Sequence, residues 1–466
     1  MTNWPQAWTL NSLRKAYAAG LSPAKVVMEI LERIDGGAAP HAFTHTPSRE
    51  QLAAAVEALG PKPDGRPLWG VPFSVKDCND VPSMPTTNAL PAMAYTPETT
   101  GGTIARLLDA GAICIGKTNM DQFGIGLVGM RSPYGAPSCV FSAEHISGGS
   151  SSGSGVATAL GLGVFSIGND AAGSGRVPAA FNNIVGIKPT PGLLSNTAVS
   201  GGGCVKTIET MSVFALTVED GMEVTRLLAG FDPDDLFSSP LADTADLEDG
   251  NTPAAFSFGV PTGDDLDFAG DSDAERLFEE AIARLEALGG TPRPVDFAPF
   301  REVPAILYDG PWIAERAVSL GPVIEKYGAD IHPVTCQILD NAKSYSAIDT
   351  FRAIHRIAEL KRDTRALWEA IEVLLVPTTP TIYTKVEIEA DPIGLNSRLG
   401  IYTNFVNLMG LCGVAVPNGF RADRVPQGVT FLAPSFAEGR AARLGAAFHR
   451  SLGGMLGASQ TPVQGA

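Results

Sequence analysis

Two short stretches rich in serine and glycine contain the residues of this chain that are best suited to chemistry. The first runs from Ser147 to Gly155 and the second from Gly168 to Arg176. Together they offer serine hydroxyls beside glycine-rich backbone with N–H groups available to bind a negative charge. That combination suits acyl transfer, in which a serine attacks a carbonyl carbon and backbone N–H groups stabilise the oxyanion. A flexible linker is the alternative, but both stretches lie between segments that read as packed structure.

A serine nucleophile needs a base, and the sequence offers two candidates. His145 lies shortly before Ser150, and histidine is the usual base for a serine. Lys76 follows the apolar run Leu68–Val75, which predicts a buried strand that delivers the lysine to the site. A lysine acts as a base only when it is uncharged, and burial disfavours the charged form. The residues alone leave both candidates open.

A further stretch matches a chemical motif by its spacing. Gly111–Thr118 fits the G-x-x-x-x-G-K-T pattern of phosphate-binding loops. Its interior, Ala112–Ile115, is apolar and β-prone, whereas a phosphate-binding loop is flexible between its glycines. We therefore interpret this stretch as a strand rather than as a nucleotide site.

Composition and charge exclude several classes of function. The 466 residues include 34 Lys and Arg against 50 Asp and Glu, for a net charge of −16. Such a surface repels phosphate backbones and anionic membranes, which disfavours nucleic-acid and membrane partners. Met1–Pro5 shows no secretory signal and no apolar run reaches the ~18–20 residues of a membrane span, so a cytoplasmic protein is expected. The histidines and cysteines show no metal-ligand spacing, and we expect neither a metal nor another cofactor.

The elements that must position the serines alternate between strands and helices. Strands are predicted at Leu68–Val75, Ile113–Ile115 and Val164–Ile167, with helices over 103–110 and after Gly155. This order indicates an α/β fold with a mostly parallel sheet. Hydrophobic residues at 44% of the chain supply a large core.

The rest of the chain extends the same α/β fold. Two helices are predicted over about 8–36, the second capped by Ser22, and an acidic loop over about 232–273. Later elements are predicted as helices over about 272–288, 312–320, 349–371 and 436–452, and as strands at Val373–Val376, Val414–Val416 and Val429–Leu432. We assign 1–455 to one catalytic domain and 456–466 to a flexible tail.

Taken together, these motifs resemble those of the amidase signature family. The resemblance is carried by Val75-Lys76-Asp77, Gly148-Gly149-Ser150-Ser151, Asp170-x-x-Gly173-Ser174-x-Arg176-x-Pro178-Ala179 and Gly186-x-Lys188-Pro189-Thr190. It covers nearly the whole chain and implies the fold of that family, a large mixed β-sheet sandwiched between helical layers. It also implies a catalytic triad of Lys76, Ser150 and Ser174, because the spacing of the two serines matches the family.

Each member of such a triad has its own role in this family. By the resemblance, Ser174 becomes acylated, Ser150 follows a cis peptide bond and relays the proton, and Lys76 is the final base. Asp77 adjoins the lysine, but strand alternation directs its side chain to the opposite face. The resemblance also implies an oxyanion hole built from the backbone N–H groups of Ala171, Ala172, Gly173 and Ser174.

The sequence departs from the family pattern in two places. Asn169-Asp170-Ala171-Ala172-Gly173 stands where Thr-Asp-Thr-Gly-Gly is usual. Cys78 stands where an asparagine commonly follows Lys-Asp. Neither departure removes a catalytic side chain.

Two stretches, Gly173–Asn183 and Tyr308–Arg316, resemble the allophanate hydrolases of this family. The resemblance implies that Tyr308 and Arg316 bind the carboxylate of allophanate. Arginine suits this role because it is always charged and can hold a small planar anion by two hydrogen bonds. A helix that begins at Pro311 would place Arg316 in its second turn, about 80° around the axis from Tyr308.

The expected activity is therefore an amidohydrolase that cleaves allophanate (urea-1-carboxylate) to ammonia and an N-carboxylated product that goes on to CO2. The resemblance further implies a small anionic amide substrate, a homodimer and a functional link to urea carboxylase. A hydrolase of other small amides and an amidotransferase subunit of a tRNA-charging complex stay open as alternatives, although the acidic surface disfavours the latter. A non-catalytic scaffold is disfavoured because all three reactive side chains are present.

Overall fold

The strands of the protein form one large sheet and one small hairpin. They are seen in a computed structural model that describes residues 8–200, 203–308 and 310–463. They are β1 (Phe43–His45), β2 (Pro72–Lys76), β3 (Ile113–Thr118), β4 (Ser138–Cys139), β5 (Ser142–Ile146), β6 (Phe165–Asp170), β7 (Val185–Lys188), β8 (Thr210–Ala215), β9 (Phe256–Pro261), β10 (Gly290–Val295), β11 (Val373–Pro377), β12 (Cys412–Phe420) and β13 (Pro426–Ala433). Eleven of them form the sheet in the order β1-β3-β2-β6-β8-β7-β12-β13-β11-β9-β10, and β4 and β5 pair separately.

The sheet is mixed, as the family resemblance implied, and not mostly parallel as the strand–helix order alone indicated. β2 is parallel to its neighbours β3 and β6, and β9 is parallel to β10 and β11. The strands between these two groups pair antiparallel. The short link between β12 and β13 explains part of this difference, because adjacent strands joined by a tight turn must run antiparallel.

Helices cover both faces of the sheet. Val414 and Val416 of β12 belong to the same hydrophobic cluster as Leu444, whereas Ala415 packs in a cluster with Ala179. Successive strand residues point to opposite faces, so the helices that carry Leu444 and Ala179 lie in opposite layers. The helices are α1 (Leu10–Ala18), α2 (Pro23–Asp35), α3 (Arg49–Leu59), α4 (Gly102–Asp109), α5 (Ser152–Ala159), α6 (Val177–Phe181), α7 (Val218–Leu228), α8 (Ser272–Ala287), α9 (Ala298–Leu307), α10 (Ile313–Tyr327), α11 (Pro333–Asp340), α12 (Ala347–Asp363), α13 (Arg365–Ala370), α14 (Lys385–Ala390), α15 (Gly394–Leu399), α16 (Asn404–Leu408) and α17 (Glu438–Leu452).

Capping residues in the sequence predicted helix starts correctly. α2 begins at Pro23, and the hydroxyl of Ser22 accepts a hydrogen bond from the N–H of Lys25. α8 begins at Ser272, with the carboxylate of Asp271 accepting from the first turn. The predicted helix over 349–371 is divided into α12 and α13 at its C-terminal end. None of the helices in the described ranges has both the length and the apolar character that a membrane crossing requires.

The acidic passage 232–273 is not a loop throughout, because it contains strand β9. Phe256, Phe258 and Val260 of this strand are buried at alternate positions. The alternation is short and lies between acidic, turn-rich segments, so the charge pattern concealed it.

The predicted flexible tail, 456–466, is described as far as residue 463, and this described part packs against the fold. Leu456 and Val463 are buried in one hydrophobic cluster. The side-chain amide of Asn183 donates to the carbonyl oxygens of Met455 and Gly457 at 3.0 and 2.9 Å. The local composition suggested a frayed tail. It could not indicate these contacts, because they join the tail to a loop that is distant in the sequence. The assignment of 1–455 to one domain stays a prediction.

The buried carboxyl of Asp220 forms a hydrogen bond to the first helix and is an unusually weak acid. Its carboxylate accepts a hydrogen bond of 3.1 Å from the N–H of Leu10 at the start of α1. Burial raises the pKa of Asp220 to about 7. A carboxyl whose pKa is higher in the folded state stabilises the fold below its unfolded pKa and loses that contribution as the pH rises through 7.

We therefore expect Asp220→Asn to gain stability relative to the parent protein as the pH rises. The gain between pH 4 and pH 8 should reach up to about 4 kcal/mol, since each pKa unit corresponds to about 1.4 kcal/mol. Urea unfolding of both proteins at several pH values measures this difference. A difference that does not change with pH would contradict the assignment.

Candidate active site

Two neighbouring strands and the loops beside them carry the predicted catalytic residues. β2 ends at Lys76 and β6 ends at Asp170, and the two strands are parallel and paired. Their carboxyl ends therefore meet at one edge of the sheet, where sites of α/β proteins usually lie. Ser174 follows β6 within a few residues, and Ser150 lies just before α5.

The side chains of Lys76, Ser150 and Ser174 form one continuous line of hydrogen bonds. Lys76 Nζ lies 2.7 Å from Ser150 Oγ, and Ser150 Oγ lies 2.9 Å from Ser174 Oγ. Their exposed fractions are only 1%, 1% and 5%, so water has little access to the amine and the hydroxyls. The peptide bond between Gly149 and Ser150 is cis, as the resemblance implied. The structure thus brings together the three residues of the predicted triad.

The loop that begins at Asp121 supports the backbone at Ser150. The N–H of Asp121 donates to the carbonyl oxygen of Ser150 at 3.0 Å, and the N–H of Gly149 donates to Leu127 O at 2.8 Å. A Cβ atom at Gly149 would lie 2.1 Å from Asp121 Oδ2, so only glycine fits there. The segment 121–126, which resembles a substrate-side loop of the family, therefore packs directly against the middle serine.

A buried carboxylate shapes the turn that carries Ser174. Asp170 Oδ1 accepts from the N–H of Gly173 at 2.8 Å, and Oδ2 accepts from the N–H of Gly175 at 3.0 Å. Arg176 donates to both oxygens at 3.0 Å from Nε and Nη2. Burial opposes ionisation of Asp170, but Arg176 outweighs it, and the pKa of Asp170 is lowered. The carboxylate is therefore charged and holds the turn in shape.

This turn changes the predicted set of oxyanion donors. The N–H of Gly173 donates to Asp170 and is not available to an oxyanion, so we remove Gly173 from the set. In the described ranges, the N–H groups of Ala171, Ala172 and Ser174 donate to no hydrogen bond. Glycine is needed at 173 for a different reason. Its φ is +130°, and a Cβ atom would lie 2.5 Å from Thr403 Oγ1.

Tyr308 and Arg316 come together by stacking and not by their spacing on one helix. α9 ends at Leu307 and α10 begins at Ile313. Tyr308 and Arg316 therefore do not lie on one helix, and the expected angle of about 80° between them around a helix axis is wrong. The guanidinium carbon of Arg316 lies 5.4 Å from the centre of the Tyr308 ring, a cation–π contact. Arg316 is 2% exposed, and its Nη2 has no hydrogen-bond partner among the residues described.

Cys204 lies between the Tyr308 ring and the start of the turn that carries Ser174 in one hydrophobic cluster, and was not anticipated from the sequence. It packs in one hydrophobic cluster with Ala171 and Tyr308. Burial raises the pKa of the Cys204 thiol to about 12, and Arg316 and Lys76 are both close enough to act in the opposite direction. Tyr308 and Ala171 therefore belong to one hydrophobic cluster, and Arg316 stacks on the Tyr308 ring. No local motif marks Cys204, because its position depends on contacts with distant segments.

The two departures from the family pattern contact each other. Cys78 Sγ donates to Asn169 Oδ1 at 3.2 Å, and the side-chain amide of Asn79 donates to the same oxygen at 3.0 Å. The Asn79 amide also donates to the carbonyl oxygen of Lys76 at 3.0 Å. Asn169 therefore ties the residues that follow Lys76 to the end of β6.

His145 is not the base of Ser150. It lies in β5, where its Nδ1 is 2.8 Å from Ser142 Oγ and its Nε2 is 3.9 Å from Asp423. Burial lowers the pKa of His145. The closeness of His145 and Ser150 in sequence thus does not bring their side chains together.

The stretch with the phosphate-loop spacing is strand β3, as interpreted from its apolar interior. Its Lys117 is buried and donates to Thr86 Oγ1 at 2.8 Å, with Asp77 Oδ1 at 3.9 Å from the same nitrogen. Asp77 also accepts hydrogen bonds from Thr87 and from the N–H of Ala89. Its carboxylate therefore belongs to a structural network, although Asp77 lies in the turn just after β2 and not within the strand.

Comparisons with known proteins agree on one family. The profile of the family described as Amidase matches residues 25–441. The chain is 39% identical over 376 residues to urea amidolyase of Saccharomyces cerevisiae, covering 80% of this chain and 20% of that protein. It is 31% identical over 412 residues to a glutamyl-tRNA(Gln) amidotransferase subunit from Acidobacterium capsulatum, covering 82% of this chain and 85% of that protein.

A solved structure of Kluyveromyces lactis allophanate hydrolase is similar over most of the fold. Its TM-score is 0.89 at 32% identity, covering 98% of this chain and 74% of that chain. The crystal structure of the Kluyveromyces lactis urea amidolyase gives a TM-score of 0.90 at 32% identity, covering 97% of this chain and 28% of that chain. The chain spans 20% of the length of the curated urea amidolyases it matches.

We expect the effects of Cys78→Ala and Asn169→Ala on stability to be coupled, because both remove the same hydrogen bond. The free energy of unfolding should fall less in the double variant than the sum of its falls in the two single variants. The difference should be about 0.5–1.5 kcal/mol. Chemical unfolding of the four proteins measures this coupling. Cys114→Ala, another buried cysteine, should be additive with Asn169→Ala. Equal coupling in both pairs would contradict the assignment.

Proposed function

The chain belongs to the amidase signature family, and we propose that within this family it hydrolyses allophanate. The products are ammonia and an N-carboxylated carbamate that goes on to CO2. The observation that carries the proposal is the combination of the line Lys76–Ser150–Ser174 with the buried Arg316, whose Nη2 lacks a partner in the described part of the chain. The similarity to proteins named urea amidolyase and allophanate hydrolase supports this choice of substrate.

In the acylation step, Ser174 Oγ attacks the carbon of the terminal amide. Its proton passes to Ser150 Oγ while the proton of Ser150 passes to the uncharged amine of Lys76. The separations of 2.9 and 2.7 Å allow both transfers without a large movement. The tetrahedral oxyanion accepts hydrogen bonds from the N–H groups of Ala171, Ala172 and Ser174. When the C–N bond breaks, the proton returns along the same line to the departing nitrogen, which leaves as ammonia.

In the deacylation step, a water molecule attacks the carbonyl carbon of the acylated serine. The water loses a proton to the line that leads through Ser150 to Lys76, and the same oxyanion donors stabilise the second tetrahedral intermediate. The bond between this carbon and Ser174 Oγ then breaks, and the serine recovers its proton. These steps need no metal ion and no organic cofactor, since the chain's own residues carry out each proton transfer.

Arg316 determines the preference for an anionic substrate in this proposal. A buried donor without a partner costs about 1–3 kcal/mol, a cost that is removed when the carboxylate of allophanate binds. The ring of Tyr308 holds the guanidinium plane in place through their cation–π contact. The local cation is needed because a chain with a net charge of −16 otherwise repels small anions.

The same resemblance supports further proposals about the protein's context. A functional link to urea carboxylase is reasonable because allophanate is a carboxylated urea. We also keep a homodimer and a cytoplasmic location as proposals. An amidotransferase subunit is the alternative function, since the match to the Acidobacterium capsulatum protein covers 85% of that protein. That alternative requires a stable partner protein that copurifies with the chain.

We expect Ser174→Ala to reduce ammonia release from allophanate by at least about 10³-fold, because the nucleophile is lost. Ser151→Ala is the matched control, since Ser151 Oγ is directed to the carbonyl oxygen of Asn169 and not to the triad. The control should keep its rate within about threefold. Steady-state ammonia assays on the purified proteins measure both rates. Activity that survives Ser174→Ala would refute the proposed mechanism.

We expect Arg316→Gln to lower kcat/KM for allophanate by about 10–100-fold, because a hydrogen bond to a charged group contributes about 1.5–3 kcal/mol. The kcat/KM for an uncharged amide such as propionamide should fall by less than about threefold. Arg352→Gln, a change at an arginine whose side chain is 76% exposed on α12, is the control and should leave both substrates unaffected. Equal losses on both substrates would favour a hydrolase of other small amides.

A further inference from the structure

A short helix from the last third of the chain packs behind the turn that carries Ser174. The carbonyl oxygen of Thr403, the residue before α16, accepts from Arg176 Nη2 at 3.1 Å. Thr403 also lies against Gly173, where a Cβ atom would meet its hydroxyl at 2.5 Å. The start of α16 is thus in direct contact with the oxyanion turn.

Asn407 of α16 uses both ends of its side-chain amide in this contact. Its Nδ2 donates to the carbonyl oxygen of Asp170 at 2.7 Å and to that of Ile208 at 3.0 Å. Its Oδ1 accepts from Arg176 Nη2 at 3.2 Å. Asn407 is 1% exposed, so water does not compete for these bonds. Its position is therefore fixed by three separate partners.

The bond to Asp170 controls the direction of an oxyanion donor. The carbonyl oxygen of Asp170 and the N–H of Ala171 belong to one planar trans peptide group and point in opposite directions. Asn407 holds the oxygen on one side, so the N–H of Ala171 is directed to the other side. That N–H donates to no hydrogen bond in the described ranges.

We propose that Asn407 is a positioning residue that orients the Asp170–Ala171 peptide group for oxyanion binding. This inference rests on the proposed role of the Ser174 turn in acyl transfer. Asn407 acts through the backbone and does not touch the substrate. Its contribution appears where charge develops on the carbonyl oxygen, so it affects the transition state more than substrate binding. Ile208, which precedes β8, gives the amide a second anchor next to β6.

The test compares Asn407→Ala with Asn404→Ala on the full chain. Both asparagines lie on α16 and are buried, at 1% and 3% exposed, but Asn404 makes no side-chain hydrogen bond to the described residues 170–176. We expect kcat for allophanate to fall about 10–100-fold in Asn407→Ala, somewhat less than the 10²–10³-fold of a deleted oxyanion donor. KM should stay within about threefold, and Asn404→Ala should change neither constant beyond that range.

Two inhibitors give a readout that a purely structural role would not change. Malonate binds through its carboxylates and resembles the ground state, whereas methylboronic acid becomes tetrahedral when it bonds to Ser174 Oγ. In Asn407→Ala the inhibition constant of the boronic acid should rise by the same factor by which kcat falls. The constant for malonate should remain unchanged. Asn407→Asp keeps the acceptor for Arg176 but loses both donors, and it should show the same pattern if the alanine variant does not fold.

Each of the following results would overturn the inference: equal effects of the changes at Asn407 and Asn404, a loss confined to KM, or an unchanged affinity for the boronic acid. A lower melting temperature with an unchanged kcat would also overturn it. Retained activity in Ser174→Ala would instead refute the proposed function. The two failures are therefore distinguishable.

Discussion

The buried ion pair between Asp170 and Arg176 is the constraint on which the rest of the site depends. Its carboxylate fixes the turn by accepting the N–H groups of Gly173 and Gly175, and the arginine keeps the carboxylate charged at full burial. Removing one partner would leave an unpaired buried charge, which costs about 3–5 kcal/mol. The backbone donors of the turn fall into two groups. The N–H of Gly173 maintains the shape, whereas the N–H groups of Ala172 and Ser174 on either side of it donate to no hydrogen bond in the described ranges.

The charges around the triad are arranged so that few of them act on the reacting atoms. Asp77 adjoins Lys76 in sequence, but its carboxylate faces the buried Lys117 on the other side of the strand. Asp170 is compensated by Arg176 in the same way. Arg316 differs, because no carboxylate in the described part of the chain pairs with it and its Nη2 has no hydrogen-bond partner there. An acidic protein thus contains a buried arginine that no carboxylate of the described residues neutralises.

Much of the fold could be predicted because the relevant information is local, whereas the triad was implied by the resemblance to a family, since the residues alone left two bases open. Caps such as Ser22 determine a helix start through neighbouring residues, and the serine–glycine stretches show their chemistry through residue type. The missed features depend on contacts across the chain. β9 is recognisable only beside β10 and β11, and Cys204 is significant only next to Tyr308. The helix-spacing argument for Arg316 failed because it assumed one continuous helix where the chain turns.

The difference between local information and contacts across the chain also applies within the turn that carries Ser174. A motif identifies the side chains that react, but an oxyanion hole is made of backbone N–H groups, which are the same in every sequence apart from proline. Their direction depends on what binds the carbonyl oxygen of each peptide group, and that partner can come from anywhere in the chain. At Asp170 the partner is Asn407, which lies 237 positions later. The sequence of the turn therefore marks Ser174 by its motif, while the direction of the Asp170–Ala171 peptide group is set by a residue outside the motif.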